Sequence, residues 1–160
     1  KDAIQATMLT CEMATHYKAL GMTLFDALEK LYERHGYYIE DLYSLTLKGL
    51  EGSKQIIKIM ESFRDKPLKL EGDLTIIAVE DYLLGKRTYL ETGNTEKIHL
   101  PTSNVIKFIL NEDSWCCLRP SGTEPKIKFY FGVKGKSRII SNKRLNILKT
   151  SVLSRSELLL

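Results

Sequence analysis

The stretch LRPSGTEPKIKFYF at 118–131 places an arginine, two hydroxyl side chains and a glycine within five consecutive residues. Arg119 offers five N–H donors in a planar fork that fits two oxygens of a phosphate or carboxylate, and Ser121 and Thr123 each add a hydroxyl donor. We expect Gly122 to adopt a positive φ, which would turn successive backbone N–H groups toward one point and form an anion nest. These residue types at this spacing predict an oxyanion site.

Two prolines and a second cation support the same interpretation. Pro120 and Pro125 flank the bend and restrict its backbone, so less conformational entropy is lost when the loop closes on a ligand. In the strand that follows, Lys128 would approach the same pocket from the face opposite the apolar residues. Glu124 has no role in this hypothesis, because its carboxylate would repel a phosphate. The alternative is a tight connection in which Arg119 pairs with a surface acid, and the chemistry of the bend favours the anion site.

Other arrangements that carry chemistry are missing from the sequence. The nucleotide P-loop pattern and the G-x-G-x-x-G fingerprint are absent. The three histidines, His16, His35 and His99, lie far apart and have no cysteine or carboxylate at ligand spacing. Cys116 and Cys117 fall in a predicted strand and point to opposite faces, which places one of them in the core. We therefore predict no catalytic residue and no metal site within this chain.

Strands are predicted on both sides of the bend. SNVIKFIL at 103–110 and WCCLRP at 115–120 are separated by four residues and should pair antiparallel as a hairpin. After the bend, alternation predicts a strand with an apolar face and a polar face. YSLTLKG at 43–49 and DLTIIAVEDYL at 73–83 are further predicted strands, and 85–101 is predicted to be a polar excursion. The residues of the strand after the bend are Ile127, Phe129 and Phe131 on the apolar face and Lys126, Lys128 and Tyr130 on the polar face.

Helical spacing of apolar residues predicts four helices. Two occupy residues 2–35, where Gly21 ends the first and Thr23 caps the second with Asp26 as its capping-box partner. Ser53 is the expected N-cap of a helix at 53–66, which precedes Pro67. The last helix, at 141–160, would begin at Ser141 or Asn142 and carry Leu145, Leu148, Val152 and Leu159 near one face. Strands with a helix at each end indicate an α+β sheet covered on one face.

Composition limits the class of protein. The 160 residues suffice for one ordinary domain or one small domain with a piece of another, and 43% are hydrophobic and 28% charged, as in globular proteins. A net charge of +4 suits phosphates or nucleic acid. The three cysteines form no disulfide framework, which indicates a reducing compartment. No apolar run approaches the roughly 20 residues that cross a bilayer, so we predict no membrane association and a cytoplasmic protein.

RPSGTEPKIKFY resembles the phosphate-binding loop of the last domain of the α-D-phosphohexomutase superfamily, which contains phosphoglucomutase and phosphomannomutase. Three more stretches are similar in order and spacing to the longer bacterial phosphoglucomutases: EMATHYKALGMTLFDALEKLYERHGYY, SLTLKGLEGSKQIIKIM and LPTSNVIKF. The similarity covers most of residues 1 to about 135. The loop motif is specific for the superfamily.

The resemblance implies an architecture and a site. Residues 1–41 would be the helical tail of the third mutase domain, and 42–160 the fourth, phosphate-binding domain, a small antiparallel sheet with helices on one face described as TATA-binding-protein-like. Arg119, Ser121, Gly122 and Thr123 would hold the sugar phosphate, with Lys128 at a position that is often basic in the family. The remaining domains of the same polypeptide would be the partners of this chain. The sequence opens within a helical pattern and without an initiator Met, so we expect it to have been cut from something longer.

The resemblance also implies a reaction, the transfer of a phosphoryl group between O1 and O6 of a hexose. In the family a phosphoserine donates, Mg²⁺ assists, and glucose 1,6-bisphosphate is the intermediate. The family's serine loop, metal loop and sugar-reading loop have no counterpart in this sequence. Phosphoryl transfer needs its nucleophile and its metal ion, so we predict that the chain alone is inactive.

The sequence is compatible with other functions. A phosphomannomutase or a pentose-directed relative would fit the same loop. A different class, a small basic nucleic-acid-binding module, is suggested by the net charge and by Lys126, Lys128 and Tyr130 on one strand face. An RNA-binding sheet normally exposes several aromatics rather than one, so the sequence gives this alternative less support.

Overall fold

The computed structural model describes residues 2–66 and 68–157 and divides the chain into two compact units, Lys1–Tyr37 and Tyr38–Leu160. The first unit contains helices α1 (Ala3–Ala19) and α2 (Leu24–His35). Gly21 separates them at φ +72°, and Thr23 and Asp26 form the predicted capping box at the start of α2. Local capping chemistry therefore predicted this helical pair correctly.

The second unit is built on a seven-stranded sheet whose first strand begins at Tyr37. Its spatial order is β1-β7-β6-β5-β2-β3-β4, and the five strand pairs from β7 to β4 are all antiparallel. The strands are β1 (Tyr37–Thr46), β2 (Ile76–Asp81), β3 (Lys86–Tyr89), β4 (Thr95–Lys97), β5 (Ile106–Leu110), β6 (Trp115–Pro120) and β7 (Lys126–Gly135). The predicted hairpin of β5 and β6 is confirmed.

Helices α3 (Gly49–Asp65) and α4 (Arg138–Glu157) pack on one face of this sheet. Their apolar residues meet alternate residues of β5, β6 and β7, as the two periodicities require. Neither α3 nor α4, as far as the structure describes them, packs on the other face of the sheet, and we call that face the open face. The α+β class, with helices on one face of a small antiparallel sheet, is confirmed. Fully buried members of the core are Ile59, Phe129, Leu118, Ile127, Leu148 and Val152.

Both long helices begin earlier than predicted. Ser53 is not the N-cap of α3, because the helix starts at Gly49, and Gly52 lies against Leu47 where a Cβ would come within 2.6 Å. Ser141 and Asn142 do not cap α4, which starts at Arg138. Ser137 lies just before this helix and its hydroxyl accepts the N–H of Ile140 at 3.3 Å.

Other differences concern strand boundaries. β1 begins six residues before the predicted strand at 43–49 and runs through the predicted domain boundary at 41/42, so the assignment of 1–41 to a preceding domain stays a prediction. The predicted polar excursion at 85–101 contains β3 and β4, which pair with the sheet. Pro67 and Leu159 lie outside the described residues. Among the helices of the described ranges, none is both long and apolar enough to span a bilayer.

Candidate anion-binding site

The bend at 121–125 joins β6 to β7 and is held from both sides. The N–H of Ser121 donates to the carbonyl of Lys126 at 2.7 Å, and the N–H of Lys126 donates to the carbonyl of Glu124 at 2.7 Å. From the end of β1, Leu47 donates its N–H to the carbonyl of Pro125 at 2.8 Å. The flanking strands are in register, with Arg119 directly opposite Lys128. Backbone bonds therefore set the shape of the loop before any ligand arrives.

A pocket of 240 Å³ lies against this bend. It contains four of the five predicted site residues: Arg119, Ser121, Gly122 and Lys128. Thr123 is not among the residues that line it. Its other lining residues are Pro120, Glu124, Lys126 and Tyr130. Lys126 and Tyr130 were not predicted as site residues, although alternation had already placed both on the same strand face as Lys128.

The cations of this pocket form no ion pair with any described acidic residue, although Glu124 also lines the pocket. Arg119, Lys126 and Lys128 have no hydrogen bond or salt bridge from their side chains to any residue in 2–66 and 68–157. Arg119 and Lys128 are a cross-strand pair, and like charges placed directly opposite each other in a sheet are destabilising. The structure gives no support to the alternative in which Arg119 pairs with a surface acid. A bound anion would relieve this repulsion.

The backbone of the bend differs from the expected nest in one respect. Gly122 does not have a positive φ, so that prediction was wrong. Instead, Ser121 Oγ accepts the N–H groups of Thr123 and Glu124, both at 3.4 Å, so the serine hydroxyl turns the chain without a left-handed residue. Both bonds are long and weak. An anion oxygen could therefore replace the hydroxyl as the acceptor of these amides.

The thiols near the pocket are not suited to nucleophilic chemistry. Cys116 is fully buried and Cys117 is half-buried on the open face, so the prediction that one of the two lies in the core is confirmed. Burial raises the pKa of the Cys117 thiol, and the nearby charges of Lys107 and Arg119 only partly oppose it. A raised pKa keeps this group a thiol rather than a reactive thiolate near neutral pH.

Farther along the open face, Glu80 forms a network with its neighbours. Arg87 Nε donates to Glu80 Oε1 at 2.8 Å, and the Tyr82 hydroxyl donates to Glu80 Oε2 at 2.9 Å. Burial opposes ionisation of Glu80, but these bonds outweigh it and hold the pKa of the carboxyl below its ordinary value. Burial and the bond to Glu80 raise the pKa of Tyr82 to about 12. The charges of Arg87 and Glu80 are therefore paired with each other within the protein.

A larger pocket of 300 Å³ lies on the helix side of the sheet, between the end of α3 and the β2–β3 hairpin. Its central charges are also paired, because Arg64 binds Asp81 at 2.8 Å and Asn104 at 2.7 Å. The described residues contain no group of three or more His, Cys, Asp or Glu side chains placed to hold a metal ion. The pocket at the bend, with its unpaired cations, is therefore the candidate site.

The region around this pocket is similar in sequence to a known protein family. Residues 76–141 match the family described as phosphoglucomutase/phosphomannomutase, C-terminal domain, and this match includes β2 to β7 and the whole bend. A phosphoglucomutase from a bovine strain of Staphylococcus aureus is 44% identical over 134 residues. A phosphoglucomutase from strain MW2 of the same species is 43% identical over 134 residues. Each alignment covers 84% of this chain and 24% of the relative, so the chain spans about a quarter of the length of these relatives.

A solved structure gives an independent comparison of the fold. Parafusin from Paramecium, described as a phosphoglucomutase and crystallised in an open form, aligns over 98% of this chain and 27% of its own, with a TM-score of 0.60 and 15% identity. At this identity the likeness concerns the fold alone. It agrees with the α+β architecture described above.

Proposed function

Since this chain belongs to the phosphoglucomutase/phosphomannomutase family through its C-terminal domain, we propose that its bend at 119–125 binds the phosphate of a sugar phosphate. The whole protein would interconvert hexose 1-phosphate and hexose 6-phosphate. The observation that carries this proposal is the pocket in which Arg119 and Lys128 lie directly opposite each other, while neither forms a salt bridge with any described residue. Charge-assisted bonds from a planar guanidinium fit two oxygens of one phosphate.

In the proposed reaction, the role of this chain is to hold the substrate in position. Arg119 and Lys128 would hold the phosphate that is not reacting, while the hydroxyl of Ser121 and the amides after it donate to the remaining oxygens. A site that recognises only the phosphate group can bind either phosphate of glucose 1,6-bisphosphate, the proposed intermediate. The intermediate can therefore reverse its orientation in the active site and be held again at its other end. Fixing that end of the substrate lowers the entropy lost on reaching the transition state.

The phosphoryl transfer itself belongs, in this proposal, to residues other than those described here. Mg²⁺ would neutralise charge on the transferred group, but the described residues provide no cluster that fits it, and we assign no metal-dependent step to this chain. The other domains of the same polypeptide would supply the nucleophile and the metal ligands. We accordingly propose that the chain alone has no mutase activity and that the whole enzyme works in the cytoplasm. Turnover of glucose 1-phosphate by the 160-residue chain would contradict the first of these statements.

A titration followed by amide chemical shifts tests the binding proposal. Adding glucose 1-phosphate to the chain should shift amides in 119–128 and leave those of α1 and α2 unchanged. Arg119→Gln should weaken binding about 10- to 150-fold, the equivalent of the roughly 1.5–3 kcal/mol of a charge-assisted hydrogen bond. Arg34→Gln is the matched control, because Arg34 is an exposed arginine outside the pocket and the substitution changes the net charge equally.

Two results would contradict the proposal. In the first, glucose 1-phosphate causes no shifts, or shifts that Arg34→Gln abolishes as fully as Arg119→Gln does. In the second, a single-stranded oligonucleotide shifts the open face at concentrations where glucose 1-phosphate does not, and its binding weakens steeply with salt. The second result would favour the nucleic-acid-binding alternative.

A further inference from the structure

We propose that Lys126 is a third cation of the anion site and that it makes the site selective for dianionic phosphate monoesters over monoanions. This inference rests on the proposed function and assigns a specificity residue within it. The observation behind it is that Lys126 lines the same pocket as Arg119 and Lys128, although the loop motif points only to the latter two.

The position of Lys126 is set by the backbone of the bend. Its carbonyl accepts the N–H of Ser121 and its own N–H donates to Glu124, so both of its backbone polar groups hold the loop closed. Lys126 is the first residue of β7 and Lys128 is two residues further on, which places both side chains on the open face about 7 Å apart. The side chain of Lys126 therefore starts at the rim of the pocket and can reach across its mouth.

Lys126 differs from several other lysines in having no acidic partner. Lys54 pairs with Glu51 at 3.4 Å, Lys134 pairs with Asp113 at 2.7 Å, and Lys149 pairs with Asp41. Among the described residues, Lys126 has no such pair. Glu124 is the one carboxylate that lines the pocket, and its side chain forms no salt bridge with a described lysine or arginine.

The charge balance of the pocket points to a dianion. Three cations and one carboxylate line it, so its formal charge is +2 with Lys126 and would be +1 without it. Coulomb energy is proportional to the charge of the ligand. Removing one positive charge should therefore cost a dianion twice the binding energy that it costs a monoanion at the same place. If the affinity for the monoanion falls by a given factor, the affinity for the dianion falls by the square of that factor. Lys126 thus adds discrimination as well as affinity.

Methyl phosphate and dimethyl phosphate are suitable probes. At pH 8 methyl phosphate is a dianion, because a phosphate monoester loses its second proton with a pKa of about 6. Dimethyl phosphate has only one acidic proton and stays a monoanion. Both can be titrated into the 160-residue chain at the same salt concentration and followed through amide shifts of 119–128. Lys126→Gln should weaken methyl phosphate binding about tenfold and dimethyl phosphate binding about threefold, by the squared relation above.

Lys136→Gln is the matched control, since Lys136 is an exposed lysine just beyond β7 and does not line the pocket. It should leave both affinities unchanged. Urea unfolding midpoints of the two variants should match that of the parent chain, because the side chain of Lys126 makes no hydrogen bond to the described residues.

The outcomes separate this inference from the proposed function. If the parent chain binds methyl phosphate and Arg119→Gln weakens it, but Lys126→Gln has no effect or weakens both probes equally, the role of Lys126 is refuted and the phosphate site stands. If the parent chain binds neither probe nor glucose 1-phosphate, the phosphate site and the role of Lys126 fail together.

Discussion

Replacing Gly132 by alanine tests how Trp115 lies on the open face beside the pocket strands. The two residues are directly opposite each other in the register of β6 and β7. A Cβ at Gly132 would lie 2.4 Å from Nε1 and 2.5 Å from Cε2 of the indole. The indole also makes a cation–π contact with Lys107, whose Nζ lies 5.5 Å from the ring centroid. The ring must therefore move to admit an alanine, and it would lose contact with both the strand and the lysine.

The expected cost follows from two opposing effects. Inserting a methyl group into a filled space costs about 1–3 kcal/mol, and the lower half of this range applies because the half-buried indole has room to shift. Alanine in place of glycine inside a strand recovers about 0.5–1 kcal/mol. Gly132→Ala should therefore lower the free energy of unfolding by at most about 1.5 kcal/mol, with a central value of about 0.75 kcal/mol. In a Trp115→Ala background the obstruction is absent, and the same change should raise stability by about 0.5–1 kcal/mol.

Urea unfolding of all four combinations, followed by circular dichroism, measures this coupling. Trp115 is the only tryptophan, so its fluorescence also reports the displaced ring directly in the two chains that retain it. Gly122→Ala is the control, since a Cβ there has nothing within 4 Å and the residue does not have a positive φ. This control should keep the parent stability or slightly exceed it.

One result would refute this reasoning. If Gly132→Ala changes stability by the same amount with and without Trp115, the indole does not lie over the glycine. The placement of the Trp115 ring over Gly132 would then be wrong.

Two further predictions concern ionisable groups. The lowered pKa of Glu80 means that its ionised form stabilises the fold above pH about 4.3, the ordinary pKa of glutamate, and that this stability is lost as the pH falls through the lowered value. Glu80→Gln should therefore cost about 1.5–3 kcal/mol at pH 7 and progressively less toward pH 3 in urea unfolding, and a constant difference would contradict the role of Arg87. Burial raises the pKa of Cys116, so iodoacetamide labelling followed by mass spectrometry should modify exposed Cys11 rapidly and Cys116 only after unfolding.

Local sequence signals predicted a large part of this structure. The capping box of Thr23 and Asp26 depends on residues three positions apart, so the start of α2 could be located without knowledge of the rest of the chain. The alternation from Ile127 to Phe131 likewise predicted which face of β7 enters the core. The residue types at 119–128 predicted an anion site and resembled one family's loop, and the family assignment is confirmed.

Packing and charge pairing decided what the capping and periodicity signals missed. Gly52 packs on Leu47, and this contact is compatible with α3 beginning at Gly49 although Ser53 is the better capping residue. The segment at 85–101 is polar, yet it forms β3 and β4, and Arg87 of β3 pairs with Glu80 directly opposite it on β2. Hydrophobic periodicity does not detect a strand whose stabilising partners are charged.

The residues of the candidate site likewise divide into those that the sequence predicted and those that it did not. Residue order alone predicts which side chains share a strand face with Lys128, since that depends only on the two-residue repeat of an extended chain. The folded chain was needed to show that Lys126 lines the pocket, that Thr123 does not, and that Ser121 shapes the bend without a positive φ at Gly122. These outcomes depend on the register of β6 against β7, which the types of the residues do not specify, and on the bond from Leu47 to the carbonyl of Pro125, which connects residues far apart in the sequence.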